Sequence, residues 1–328
     1  MMYKYVSHLT HISIPCLDIT HSNELNMKFS LILVGAAHIK LSTAHIAHIQ
    51  SLLADMALNV SSSAPQWLAP HRAVELSLSC QLNQTQIEGI RAYTDIIAVD
   101  VFCVDSAHRR KSLLMADMDS TIIMDETLDT IAAHAGIGEQ VAAITARAMN
   151  GELDFKQALG ERVAMLKDQP TTLLKTVLNE ITLSAGAETL VRTMAKHGAT
   201  CVLVSGGFSF FTEVIARRCG FAYHHGNDLD IQGDKISGTV SPPILDKQAK
   251  ENYFNYYCKK LKLPASDSLA VGDGANDLNM LEAVGIGIGY YPKPKLEQAL
   301  RHNIRYSDLT ALLYIQGYTQ DQFVELVL

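Results

Sequence analysis

The chain is poor in residues that fix structure covalently or through metal clusters. It has six cysteines, Cys16, Cys80, Cys103, Cys201, Cys219 and Cys258, with no CxxC pair among them. That spacing excludes a disulfide framework and a thiolate zinc site, and several of the six sit in apolar runs, as reduced core thiols do. Positive charge is also scarce: 27 Lys and Arg face 34 Asp and Glu, for a net charge of -7. Nucleic acid and anionic membranes would be repelled at long range, so neither is expected as a partner. No apolar run is long enough to cross a bilayer, and residues 1–27 lack the apolar core of a signal peptide, so a cytoplasmic location is expected. What remains is a globular composition, 48% hydrophobic and 19% charged, in 328 residues, enough for two domains.

Residues 1–27 have no clean period and are read as an extension or an extra strand. FSLILVG, from Phe29, reads as a buried strand. A Ser42/Thr43 start signal then precedes Ile46, Ile49, Leu53 and Met56 at helical spacing. Val74 to Cys80 alternates as a half-buried strand, Gln84 to Tyr93 reads as a helix, and IIAVDVFCV as a strand. With a further strand near Val60, residues 1–105 form an approximate βαββαβ unit. This order resembles the α+β ferredoxin-like, ACT-like domains attached to enzymes of amino-acid metabolism. The resemblance implies a place for an amino-acid effector or a homodimer contact.

SAHRRK (106–111) reads as a linker. Beyond it the pattern is α/β, with strands at Leu113–Ala116, Cys201–Val204, Leu269–Val271 and Ile286–Ile288, the first three ending in polar, turn-rich segments. Catalytic loops at carboxyl strand ends are the expected arrangement of a parallel, doubly wound sheet. Between the first two strands the periodicity is helical for far longer than one crossover needs, which suggests a helical cap at about 126–190. Ala222 to Val240 alternates around QGDK as a β-hairpin.

The chemistry is concentrated at those strand ends. In MADMDSTII, Asp117 and Asp119 follow a buried strand, and a loop beginning at Asp117 is expected to bring them to one centre. One aspartate can attack phosphorus while a second acid protonates the departing alcohol. Taken alone, the segment could equally be a turn or helix cap. In CVLVSGGF, Ser205 and two glycines offer donors and close backbone approach to phosphate oxygens. In LAVGDGANDL, Asp273 and Asp277 with Asn276 supply hard oxygens suited to magnesium. Lys250 could neutralise gathering negative charge. His38, His45 and His48 lack any partner carboxylate or cysteine pattern and are read as helix-surface residues.

The order Asp-x-Asp-x-Thr, Ser-Gly-Gly, Lys, Gly-Asp-Gly-x-Asn-Asp resembles the haloacid-dehalogenase (HAD) superfamily over about residues 112 to 310, and its wording is similar to that superfamily's phosphoserine-phosphatase family. The resemblance implies a Rossmannoid parallel core with an inserted helical cap across 112–328. It also implies hydrolysis of O-phosphoserine, the last step of serine biosynthesis. It makes Asp117 nucleophile and Mg2+ ligand, Asp119 general acid/base and backbone-carbonyl ligand, Asp273 the second carboxylate ligand and Asp277 its support. Ser205, Gly206, Lys250 and Asn276 would hold phosphate. Glu126 and Arg162 would pair with the substrate's ammonium and carboxylate, and Met149 and Phe155 would close the pocket. The competing expectations are a phosphatase or phosphomutase for another small phosphomonoester, and a non-catalytic amino-acid sensor. Aspartyl-phosphate-forming ion pumps are excluded, because Asp119 stands where they carry lysine.

Overall fold

The computed structural model describes residues 28–56, 58, 64–149 and 152–326. Residues 1–27 and the expected strand at Val60 lie outside them. The N-terminal unit runs β1 (Phe29–Gly35), α1 (Thr43–Asp55), β2 (Gln66–Ala69), β3 (Ala73–Leu78), α2 (Gln84–Thr94) and β4 (Val99–Asp105). Its antiparallel sheet has the order β2-β3-β1-β4, the split βαβ arrangement that the βαββαβ pattern requires. Both helices start on capping boxes, Ser42 with His45 and Asn83 with Gln86.

β1 explains why its sequence does not alternate. Leu31 and Leu33 pack under α1 and α2, whereas Ile32 and Val34 face the opposite way, into the main core with Leu309 and Leu312. With a helical layer on one face and the rest of the protein on the other, both faces need apolar side chains. The N-terminal sheet is therefore docked rather than tethered. The expected linker is also pinned: Arg109 makes a two-pronged ion pair with Glu75, and the Lys111 N–H donates to Gln316.

The second unit is a seven-stranded sheet of order β11-β10-β9-β5-β6-β7-β8, parallel except for β8, which runs antiparallel to β7. The strands are β5 (Leu113–Ala116), β6 (Thr200–Phe208), β7 (Tyr223–Gln232), β8 (Lys235–Ser241), β9 (Ser268–Gly272), β10 (Ile286–Tyr290) and β11 (Asn303–Ile304). The β7/β8 hairpin turns at Gly233, whose φ of 65° suits glycine. The order reverses at β5, which lies between β9 and β6, so the carboxyl end of β5 opens into a crevice.

Helices α3 (Thr127–His134), α4 (Gly138–Met149), α5 (Phe155–Ala164) and α6 (Thr172–Glu180) follow β5. The two chain segments joining this group to the core pair with each other at Ile123 and Leu183. α7 (Ala187–Lys196) lies back against β6 and α8 (Ser209–Cys219). The helical layer above the crevice thus ends near residue 180, short of 190, because α7 serves as the crossover to β6. α9 (Lys247–Leu261), α10 (Leu278–Ala283), α11 (Pro294–Ala299) and α12 (Ala311–Ile315) complete the chain, α12 packing beneath β1.

Candidate active site

The crevice is built where β5, β6 and β9 end. Asp117 leaves β5 with extended backbone and accepts a hydrogen bond on Oδ1 from the Met118 N–H at 2.8 Å. Ser120 then takes φ 53°, a left-handed conformation that folds the chain into a wide turn and brings Asp119 beside Asp117. Asp119 accepts from the Thr127 N–H at 2.8 Å and from the Ser205 hydroxyl at 3.0 Å. Ser205 in turn accepts from the Gly207 N–H at 2.8 Å. A Cβ at Gly207 would lie 2.7 Å from the Asp119 carboxylate, so this position needs glycine for space.

Lys250, from α9, is fully buried beneath the crevice. Its Nζ stands 2.7 Å from Asp117 Oδ1 and 2.6 Å from Asp277 Oδ1. Burial works against its charge, but the two carboxylates outweigh it and raise its pKa. Asp277 also accepts from the Gly274 N–H at 3.1 Å, so both its oxygens are held from within. Carboxylate oxygens of Asp117, Asp273 and Asp277 come within 4.8 Å of one another. Burial, and then the charge of Asp117, raise the pKa values of Asp273 and Asp277. Burial likewise pushes Asp119 up to about 7, against the pull of the Thr127 N–H and with Asp117 adding to it. Three carboxylates crowded into a dry centre, Asp273 and Asp277 among them with raised pKa values, are the donor set a hard divalent cation would satisfy.

Above this floor is a cavity of about 200 Å³, lined by Asp117, Asp119, Ser205, Gly206, Asp273 and Asn276 from the core and by Glu126, Phe155 and Arg162 from the helical layer. The Phe155 ring sits so close to Gly206 that a Cβ there would lie 3.1 Å from it. Arg162 is half-buried and its Nε donates to the Ala158 carbonyl at 3.3 Å, leaving the terminal nitrogens toward other partners. Met149 ends α4, but its side chain lies outside the described set. Met149 aside, the sequence-derived positions converge on one crevice, with two differences of detail. Ser205 spends its hydroxyl proton on Asp119, and Lys250 lies under the nucleophile rather than on the cavity wall.

A match to the haloacid dehalogenase-like hydrolase family spans residues 112–285. The chain belongs to that family. Among curated relatives of this hydrolase, the phosphoserine phosphatase of Streptomyces coelicolor is 35% identical over 255 residues, which cover 77% of this chain and 62% of the relative. The chain thus spans less than two thirds of that relative's length. The phosphoserine phosphatase of Lactococcus lactis is 39% identical over 62% of this chain and 94% of its own. A HAD family hydrolase from Salmonella enterica serovar Typhi, of known structure, superposes with a TM-score of 0.77 at 28% identity, over 89% of this chain and 99% of its own.

The hydrolase crevice also holds residues that the sequence reading missed. Asn227 on β7 donates to the Gly206 carbonyl at 2.8 Å and accepts from the Leu245 N–H at 2.7 Å, tying the glycine loop to the segment before α9. Thr127 supplies a backbone donor to Asp119, which no side-chain pattern can announce. Lys293 lies between Pro292 and Pro294 just beyond β10, and its Nζ is 2.9 Å from Asp273 and 3.3 Å from Glu126. The available signal was its place at the carboxyl end of the fourth parallel strand, the rule already used for the other three.

Proposed function

We propose that this hydrolase converts O-phosphoserine and water to serine and phosphate through an aspartyl-phosphate on Asp117, with Mg2+ as its divalent ion. The observation that carries the reading is the pairing of two unlike aspartates at the end of β5. Asp117 is held between the Lys250 ammonium and the Met118 N–H, whereas Asp119 is poised to exchange a proton near neutral pH.

The Asp117 carboxylate attacks phosphorus as the bond from phosphorus to the seryl oxygen breaks, and Asp119 gives that oxygen its proton. Serine departs. Asp119, now ionised, takes a proton from water as the water oxygen attacks phosphorus, releasing phosphate and restoring the Asp117 carboxylate. Mg2+, held by Asp117, Asp273 and the Asp119 backbone carbonyl, would supply positive charge to the transferring phosphoryl group. Lys250 and Asp277 keep the nucleophile in place, Ser205 orients Asp119 with its hydroxyl proton, and the Gly206 N–H and Asn276 receive phosphate oxygens. Glu126 and Arg162 face the same cavity with opposite charges, matching an α-ammonium and an α-carboxylate. The activity for which the Streptomyces coelicolor and Lactococcus lactis relatives are named supports that substrate.

The test is a phosphomonoester screen with Mg2+ and with EDTA. Magnesium-dependent turnover that favours phosphoserine over sugar phosphates is expected. Glu126→Ala and Arg162→Ala should each lower that preference about 10-fold or more, the loss of one charge-assisted contact. Equal turnover of sugar phosphates would overturn the substrate assignment.

A further inference from the structure

Lys293 is the charged group lining the crevice that the proposed reaction does not use. Its backbone is unusually constrained. Pro292 and Pro294 flank it, and the residue before a proline is driven to extended geometry, as its φ of -62° and ψ of 150° show. Its N–H donates to the Asp273 carbonyl at 2.8 Å, while its own carbonyl accepts from Leu296 and Glu297 at the start of α11. Tyr291, two residues earlier, takes a φ of 41°, uncommon for a non-glycine residue, and is held there by its N–H on the Ile304 carbonyl at 2.8 Å. A flexible side chain is thus mounted on a fixed base.

The side chain makes two unequal contacts. Nζ is anchored on Asp273 Oδ2 at 2.9 Å and reaches across the crevice to Glu126 Oε1 at 3.3 Å. Burial works against the ammonium, but Asp273 and then Glu126 outweigh it and raise its pKa, so it stays charged. The Ser120 hydroxyl donates to the same Oε1 at 2.8 Å. Two donors on one oxygen fix the rotation of the Glu126 carboxylate and leave Oε2 as the oxygen presented to a ligand.

We propose that Lys293 is a positioning residue for specificity: anchored on Asp273, it orients Glu126 so that Oε2 meets the substrate's α-ammonium group. This rests on the phosphoserine reading and extends it. Lys293 itself touches no reacting atom. Its removal should therefore weaken recognition of the ammonium while leaving phosphoryl transfer intact.

The experiment compares O-phosphoserine with 3-phosphooxypropanoate, which keeps phosphate and carboxylate but lacks the ammonium, at saturating Mg2+. Lys293→Met should raise KM for phosphoserine about 3- to 5-fold, the worth of an exposed ion pair, with kcat nearly unchanged. It should leave kcat/KM for 3-phosphooxypropanoate within about 2-fold of wild type. Lys293→Arg should restore most of the phosphoserine KM. An equal loss on both substrates, or a fall in kcat alone, would place Lys293 in service of Asp273 and overturn the proposal, as would no change on either. Wild-type preference for phosphoserine over the analogue is measured first. Its absence would overturn the substrate reading itself, whereas its presence with a parallel loss in Lys293→Met would overturn only the role of Lys293.

Discussion

The crevice and the junction between the N-terminal sheet and the catalytic core both bury carboxylates, and they treat them in opposite ways. At the crevice, five acids (Asp117, Asp119, Glu126, Asp273, Asp277) face three bases (Arg162, Lys250, Lys293), a surplus of acids that a divalent cation would offset. At the junction the buried carboxylate is instead matched from within the chain. Asp100 on β4 is buried yet accepts from the N–H groups of Arg305, Tyr306 and Ser307 and from the Ser307 hydroxyl. Arg72 pairs with Asp308, while Arg91 and Arg301 donate to carbonyls across the boundary. A buried site left out of balance is a site for ligands, and a balanced one is a joint. Mutations should separate the two, the first losing activity without stability and the second losing stability without activity.

The largest expected effect is at the proposed nucleophile. Asp117→Asn should lower kcat on the order of 10⁴-fold or more, since an amide cannot form the covalent intermediate. Its melting temperature should hold or rise, because one surplus charge is gone while the Lys250 pair with Asp277 remains. A large drop in melting temperature would show that the crowded carboxylates serve the fold and would erase the contrast.

Next in size is the response of the junction to acid. His302 is buried with its ring against Phe102, and its Nδ1 has no hydrogen-bond partner among the described residues. Burial, then the charges of Arg301 and Arg91, push its pKa down to about 3. A histidine kept neutral in the folded state stabilises fully above the unfolded-state value near 6.5, and that stability is lost as pH falls toward the folded value. The loss would reach about 2 kcal/mol at pH 5 and about 5 kcal/mol when complete. Urea unfolding at pH 7 and pH 5 should show it in the wild type, with a flatter dependence in His302→Gln. Equal pH dependence in the two proteins would remove His302 from the account.

How much of this was legible depends on whether a signal is local. Asp117, Asp119, Ser205 and Asp273 each stand within a few residues of an apolar strand end, so chain order pointed to the proposed catalytic positions. Lys293 is as close to its own strand, but a lysine between prolines carries no chemical signature, and its meaning comes from Asp273 and Glu126, which are remote in sequence. The junction was partly announced. FSLILVG is apolar on both faces, which implies a layer on each side, and the charge of Asp100 inside IIAVDVFCV demands a partner. That partner, the backbone of Arg305 to Ser307, could not be read, because N–H groups are common to every sequence. The strand at Gln66–Ala69 was not read from the sequence for a similar reason: the pairing of Gln66 with Glu75 and Trp67 with Val74 sets its place, and propensity does not.

Within the junction itself, Asp100→Ala should cost about 2 to 3 kcal/mol, because it strands buried N–H groups and leaves a void where the carboxylate sat. Turnover per folded molecule should stay near wild type, since Asp100 lies in the N-terminal sheet away from the reacting groups. A parallel fall in kcat would mean that the junction and the crevice act as one unit and would break the comparison at its root.

The smallest expected effect tests whether the joint depends on hydrogen-bond satisfaction rather than on charge. Arg72 and Asp308 approach to 2.9 Å but remain about one-fifth exposed, 20% and 23% for their side chains. Water competes for both, and ordering two side chains costs entropy, so such a pair contributes less than about 1 kcal/mol. Asp308 keeps the Thr310 N–H as a donor at 2.9 Å when the arginine is gone, so no carboxylate is orphaned. Arg72→Met retains the apolar stem and should lower stability by less than that bound, with the difference shrinking further at high salt. A cost larger than that of Asp100→Ala would reverse the ranking and make ion pairing the force that seats the N-terminal sheet.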